Sequence, residues 1–360
     1  MFFADAFMRS ISCITPVQEG ISGLYGNGVL LACIDSGVDY AHPDFCAPDG
    51  TSRIAILWDQ TIPGNPPMGY ALGSVYTRQQ INEALASSTP EERFALVPSR
   101  DVTGHGTAVL GIAAGNGRSS ADAAMRGVAP EATLVVVKLG NPDPADLPRT
   151  SQLLQAVDFC VRYALLVERP LVINLSFGNN YGSHSGDSLL ETYLNAVSNL
   201  GQNVICIGAG NEGDTGRHYT GNLKSDRKSS GQTQTVRPTS DPAATSAVSA
   251  TADRAVSVEF QVGAYESSFS LQIWKVYGDE ISIELISPGG IRSGTLSPVL
   301  GTARLTLGPT ELLLFLWHAI PLQPGAGNLP DLSGRRKPSV RRKRHLDLAS
   351  HPRPPDLRFL

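Results

Sequence analysis

The chain has 360 residues, 41% of them hydrophobic, with Gly 36, Pro 25 and a formal net charge of −4; that supports one large domain or two smaller ones with real cores and many turns. No apolar run reaches the ~20 residues of a membrane-spanning helix, and Met1-Phe2-Phe3-Ala4-Asp5-Ala6 has an acid where a secretory leader is basic, so neither a membrane span nor a signal peptide is expected. The five cysteines (Cys13, Cys33, Cys46, Cys160, Cys206) are odd in number and lack metal-ligand spacing, which fits a reducing compartment; Cys33 and Cys206 lie in apolar runs and read as small buried hydrophobes.

In chain order, Gly28-Val29-Leu30-Leu31-Ala32-Cys33-Ile34 is a continuous apolar run ending at Asp35-Ser36-Gly37, the pattern of a buried parallel strand with an aspartate at its carboxyl end. Thr107 to Ala114 predicts a helix opening just after the bend Gly104-His105-Gly106. Thr133 to Lys138, Pro170 to Ser176 and Asn203 to Gly208 repeat the strand pattern, and Ser151 to Glu168 and Ser188 to Leu200 have helical apolar spacing. Strands alternating with helices predict an α/β domain with a mostly parallel sheet, whose sites gather beyond the carboxyl ends of the strands. From Val236 the texture changes to short alternating strands: Ala255 to Val262, Phe269 to Val276, Ile281 to Ile286 and Leu305 to Leu307. Turns at Tyr277-Gly278-Asp279 and Ser287-Pro288-Gly289-Gly290 separate them, predicting an antiparallel sandwich-type module in which Trp274 belongs to the core. The expected domains are 1–235, 236–318 for the β module, incomplete, and 319–360 for an irregular Pro/Arg-rich tail.

A strand-end carboxylate, a histidine exposed between glycines and an amide after another strand are parts of an acyl-transfer site. The carboxylate holds the imidazole in one tautomer, the imidazole takes a proton from a hydroxyl, and the amide donates to the oxyanion. Asp35-Ser36-Gly37-Val38-Asp39 with His42-Pro43-Asp44, then Gly104-His105-Gly106-Thr107, Asn174-Leu175-Ser176-Phe177-Gly178 and Gly210-Asn211-Glu212-Gly213, in this order, closely resemble the subtilisin-like serine proteases (peptidase family S8). Tyr265 to Phe269, Ile273-Trp274-Lys275 and Ile283 to Gly290 are similar to the β-sandwich inserted in the clostridial branch of that family that acts in spore germination.

The resemblance implies a mostly parallel sheet flanked by helices and interrupted by the β module. It casts Asp35 as the residue that orients the histidine, His105 as general base and Asn211 as oxyanion donor. Ser176, Phe177 and Gly178 become a wall of the substrate cleft, pairing with an extended protein or peptide substrate as an added strand. No cofactor is implied for the chemistry; a structural calcium is, with Asp44 as a ligand. No membrane partner is expected, and the location implied is bacterial cytoplasm or spore.

One member of the constellation is missing. The family's nucleophile follows Gly-Thr-Ser at the start of a helix, and the Gly-Thr-Ser of this chain, Gly50-Thr51-Ser52, lies between the aspartate and histidine motifs in a loop leading into a strand. The expectation is therefore a serine endopeptidase by descent whose serine-bearing segment is absent, the chain being truncated before it. The alternative is a pseudoprotease that binds peptide or a related protease without cutting. The tail from Gly334 carries nine Lys/Arg against two Asp/Glu, leaving −11 on the rest. It shows no strand or helix period and reads as out-of-frame text, a basic arm or a disordered tail, expected to make no packed contact. Aromatic residues do not interleave its basic ones, so nucleic acid is not the expected partner. Loss of the covering segment is expected to expose Val135-Val136-Val137 and Val172-Ile173.

Overall fold

The computed structural model describes residues 6–140, 149–221, 234–236, 246–248, 256–263, 267–276, 281–296, 301–317, 343–351 and 358–359. The chain divides into two compact units, the first formed by Met1–Asn180 with Ser185–Gly210 and the second by Tyr181–His184 with Asn211–Leu360.

The first unit opens with helices α1 (Ala6–Ile11) and α2 (Ile14–Glu19), then strand β1 (Leu30–Asp35), β2 (Ile54–Asp59), β3 (Ser74–Thr77), α3 (Arg78–Leu85), α4 (Pro90–Leu96), α5 (His105–Ala114), β4 (Thr133–Lys138), α6 (Thr150–Leu166), β5 (Leu171–Leu175), α7 (Leu189–Ser198) and β6 (Asn203–Ile207). Its six-stranded sheet has the order β3-β2-β4-β1-β5-β6, and every pairing is parallel except β2 with β3. The apolar runs that predict β1, β4 and β5 form these strands because both sheet faces are covered near the centre, and the run that predicts β6 forms the edge strand beside β5. On one face Ala32, Ile34, Val135, Val137 and Ile173 pack with α6 and α7 residues such as Val157, Cys160 and Val197. On the other, Leu31, Cys33, Leu134 and Val136 pack with Ile81, Ala84, Leu110 and Ala114. Residues 135–137 and Ile173 are at most 1% exposed and Val172 is half-buried, so of the positions expected to lose their cover all but Val172 keep it fully. Exposure falls instead on the edge strand β6, where Val204 is 56% and Ile207 58% exposed, and Cys206, expected to be buried, is also exposed. An edge strand has a neighbour on one flank only, so apolar composition does not guarantee cover there.

In the second unit, strands β7 (Gln234–Val236) and β8 (Ser246–Val248) form a two-stranded sheet, and the sequence-read boundary at 235 falls inside β7. A four-stranded antiparallel sheet follows the order β10-β14-β13-β12 and a three-stranded one the order β11-β15-β9. The strands are β9 (Val258–Glu259), β10 (Ser270–Val276), β11 (Leu285–Ile286), β12 (Gly301–Leu307), β13 (Thr310–Trp317), β14 (Lys343–His351) and β15 (Arg358–Phe359). Leu285, Leu307, Leu312 and Leu314 form the buried core with Leu271 and Ile273 packed against it, the sandwich-type arrangement the sequence predicts. Because Leu271 and Ile273 face that core, the period of two puts Trp274 on the other face, where it is 37% exposed.

The tail departs from expectation. Lys343–His351 is an inner strand, antiparallel to both β10 and β13. Within it His345-Leu346-Asp347-Leu348 alternates polar with apolar positions, a short period of two that the surrounding basic residues conceal. The remaining tail positions, apart from β15, lie outside the described residues.

Candidate active site

Asp35 closes β1, and its register with Lys138 on β4, together with Ile34 opposite Leu175 on β5, sets Asp35 level with Ser176 at the carboxyl edge of the sheet. Its side chain is 5% exposed, and Oδ1 lies 2.7 Å from His105 Nδ1, whose imidazole is 42% exposed. The Ser36 N–H donates to the same oxygen at 2.7 Å. The other oxygen, Oδ2, is buried with no partner among the described residues. The aspartate therefore fixes the imidazole with Nδ1 toward itself and leaves Nε2 facing away, the geometry of a base held in one tautomer.

His105 is the first residue of α5, and its place depends on a glycine on each side. Gly104 has φ 75°, the left-handed region where glycine is unstrained. At Gly106 a Cβ would lie 2.1 Å from the Gly37 carbonyl oxygen and 3.2 Å from Asp35 Oδ1, so only glycine lets the helix start this close to the end of β1. The sequence pattern marks both glycines. It does not mark Asp101, whose carboxylate accepts from Thr107 N–H (2.8 Å) and Oγ1 (2.7 Å), from Ser36 Oγ (2.8 Å) and from Gly104 N–H (3.0 Å). The available signal was an acid four residues before the histidine in a segment free of apolar periodicity.

Ser176 follows β5, and its Oγ accepts from Asn174 Nδ2 at 3.0 Å. Phe177 is half-buried and packs against the core on the α6 side of the sheet, while Gly178 is exposed. Asn211 opens the second unit in an exposed bend, and its backbone N–H donates to Glu212 Oε2 at 3.1 Å.

Gly50-Thr51-Ser52 does not supply a nucleophile. Ser52 is 2% exposed and its Oγ accepts from the Ile54 N–H at 3.0 Å. It precedes β2, which runs parallel to β4, so it stands at the amino end of the sheet, a strand length of roughly 20 Å from the carboxyl edge that carries Asp35. Among the described residues no hydroxyl or thiol hydrogen-bonds to His105 Nε2.

The calcium implied at Asp44 requires oxygens that are free to ligate. Asp44 is 7% exposed and its Oδ1 accepts from the Ser119 N–H at 2.7 Å. Arg53 Nη1 donates to the carbonyls of Asp44 (2.9 Å) and Ala114 (2.7 Å), and Arg118 Nη1 to those of Cys46 (3.2 Å) and Ala47 (2.5 Å). Arg9 Nη1 donates to the carbonyls of Ala124 (3.1 Å) and Arg126 (2.6 Å) in the loop that follows Ser119. Burial pulls the Arg53 guanidinium down to about 10, against the opposing pull of Asp44, so it remains a cation at neutral pH. Calcium takes about six to eight oxygens, commonly with several carboxylates; among the described residues no group of three or more His, Cys, Asp or Glu side chains makes a metal site. The backbone carbonyls of Asp44, Cys46 and Ala47 accept from guanidinium groups, which would repel a divalent ion beside them. The donors described there do not fit the metal.

A parallel α/β sheet with a buried carboxylate and a histidine joined at its carboxyl edge defines the catalytic-domain architecture of one class of serine hydrolase. The chain belongs to the subtilase family (Peptidase S8), whose pattern matches residues 26–312. It is 29% identical to the major intracellular serine protease of Bacillus subtilis (strain 168) over 207 residues, 57% of this chain and 50% of that protein. It also resembles the solved structure of the CspB protease of Clostridium perfringens, with 25% identity and a TM-score of 0.72, over 98% of this chain and 63% of that one. The chain thus spans about half the length of the curated relative and less than two thirds of the solved one. Among the described residues no helix is long and apolar enough to cross a membrane.

Proposed function

We propose that this chain carries the acid–base half of a serine endopeptidase site. The observation that carries the proposal is the 2.7 Å contact between Asp35 and His105 at the carboxyl edge of the parallel sheet. In this reading His105 Nε2 takes the proton of a serine hydroxyl as that oxygen attacks a peptide carbonyl, then returns it to the leaving amine. Asp35 keeps the tautomer and stabilises the imidazolium, Asn211 donates to the oxyanion, and the backbone of Ser176–Gly178 pairs with an extended peptide. Likeness to an intracellular protease and five free cysteines support an intracellular setting.

The test is turnover of fluorogenic peptides. The 360-residue chain alone should stay near background, because subtilisin itself without a triad member retains only ~10³–10⁴-fold acceleration over water. In a form of the protein that includes a helix-borne Gly-Thr-Ser, His105→Ala should lower kcat by about 10⁶ and Asp35→Ala by about 10⁴, the figures for the corresponding residues of subtilisin. Turnover that His105→Ala leaves unchanged would overturn the assignment.

A further inference from the structure

We propose that Asp101 is a positioning residue for His105, acting by closing the first turn of α5. This deepens the acid–base reading above and rests on it. The first backbone N–H groups of a helix have no partner inside it, and the N-cap residue here, Gly104, has no side chain to offer them. Side chains from outside the helix supply the acceptors instead. His105 N–H donates to Thr103 Oγ1 (3.2 Å), Gly106 N–H to Ser36 Oγ (3.0 Å) and Thr107 N–H to Asp101 Oδ2 (2.8 Å).

These acceptors form one network centred on Asp101. Thr107 Oγ1 also donates to its Oδ2, while Ser36 Oγ and Gly104 N–H donate to Oδ1, with Thr103 Oγ1 3.2 Å from the same atom. Ser36 follows Asp35 directly, so a single carboxylate ties the loop after β1 to the helix that begins with the histidine. A negative charge also suits the positive end of a helix.

The platform beneath Asp101 is fixed as well. Ser99 Oγ donates to Asp59 Oδ2 at 2.6 Å, and Lys138 Nζ donates to the Arg100 carbonyl at 2.6 Å while lying 4.0 Å from Asp59 Oδ2. Ser99, Asp59 and Lys138 are 1%, 0% and 4% exposed. The carboxyl ends of β2 and β4 therefore hold the two residues before Asp101, and Asp101 holds the helix start. Burial alone would raise the Asp101 carboxyl pKa, but the bonds from Thr107, Ser36 and Gly104 outweigh it and hold the pKa below the usual range. The network is thus complete above the ordinary carboxylate pKa and is lost as pH falls through the lowered value.

The test follows the Nδ1 proton of His105 by NMR in the ¹⁵N-histidine-labelled chain, assigned with His105→Gln. In wild type this proton, held by Asp35, should give a distinct low-field resonance with slow solvent exchange. Asp101→Ala should lose that resonance or speed its exchange roughly tenfold or more, with far-UV circular dichroism unchanged. Asp101→Asn, which keeps one acceptor oxygen, should fall between. If Asp101→Ala does not fold, Ser36→Ala and Thr107→Val each delete one partner of the network, and at least one must speed exchange. An unchanged resonance and exchange rate in Asp101→Ala, or in both single-partner variants, overturns the proposal. The readout needs no peptide cleavage, so failure of the endopeptidase reading and failure of Asp101 positioning remain separate results.

Discussion

At the scale of single residues, the glycines flanking His105 are required for different reasons, and substitution separates them. A Cβ at Gly104 meets nothing within 4 Å, so Gly104→Ala pays only for its φ of 75°, roughly 1–2 kcal/mol. A Cβ at Gly106 would stand 2.1 Å from the Gly37 carbonyl oxygen, a contact that nothing flexible relieves. Gly106→Ala is expected to push the start of α5 away from β1, costing at least the ~1–3 kcal/mol of an overpacked core and breaking the Asp35–His105 contact. Urea denaturation with the His105 Nδ1 resonance as reporter distinguishes the two: Gly104→Ala should shift the midpoint and keep the resonance, and Gly106→Ala should lose it.

At the scale of elements, α1 and α2 are fastened to the loop before β4 by side chains that donate to its carbonyls. Arg9 takes those of Ala124 and Arg126, and Gln18 Nε2 takes those of Gly127 (3.0 Å) and Val128 (2.9 Å). Arg9 is 6% exposed while Ala124 is exposed and Arg126 half-buried, so its loss removes charge-assisted bonds and leaves carbonyls that water reaches only in part. Arg9→Met is expected to destabilise the first unit by roughly 1–3 kcal/mol and to speed protease nicking before β1. Chelators should leave the melting temperature of wild type unchanged, and a chelator-sensitive transition restored by calcium would overturn the reading that the residues around Asp44 do not fit the metal. This scale also shows what the sequence made legible. β1, β4 and β5 are plain because burial on both faces demands unbroken apolar runs, and Asp35 and His105 are plain because a strand end and a glycine bend announce them. α3 and α4 are not predicted although each starts with a capping box, Thr77 with Gln80 and Thr89 with Glu92; at eight and seven residues they are too short for helical spacing to repeat. Of the β12–β13 hairpin only Leu305 to Leu307, the end of β12, is legible; β13 lies past Gly308-Pro309 in an apolar run without alternation, and β14 behind a basic flank. Asp101 carries only a weak signal, an acid four residues before the histidine, because its tie to Ser36 after β1 is a long-range bond that no local pattern encodes.

At the scale of the molecule, the weak point is the outer edge of the sheet. Among the described residues β6 pairs with β5 alone; it exposes Val204 and Ile207, and Leu200 just before it is 64% exposed. Such an edge invites pairing with another chain. The chain is expected to self-associate at micromolar concentration, and Val204→Lys with Ile207→Lys to increase the monomer fraction in size-exclusion chromatography with light scattering. A wild-type chain that is already a monodisperse monomer would refute this. Deleting Gly334–Leu360 should not help, because it removes β14, the strand between β10 and β13.

The strand order of the first unit also constrains when the site comes into being. β1 is made early, but its sheet neighbours are β4 and β5, which begin at Thr133 and Leu171. A nascent chain that has passed His105 already holds both members of the Asp35–His105 pair, yet lacks either strand that fixes the end of β1. The pair is therefore a product of long-range closure, which is slow. Its formation marks the moment at which the central sheet is complete, and during synthesis the base remains unformed until the chain has grown well beyond it.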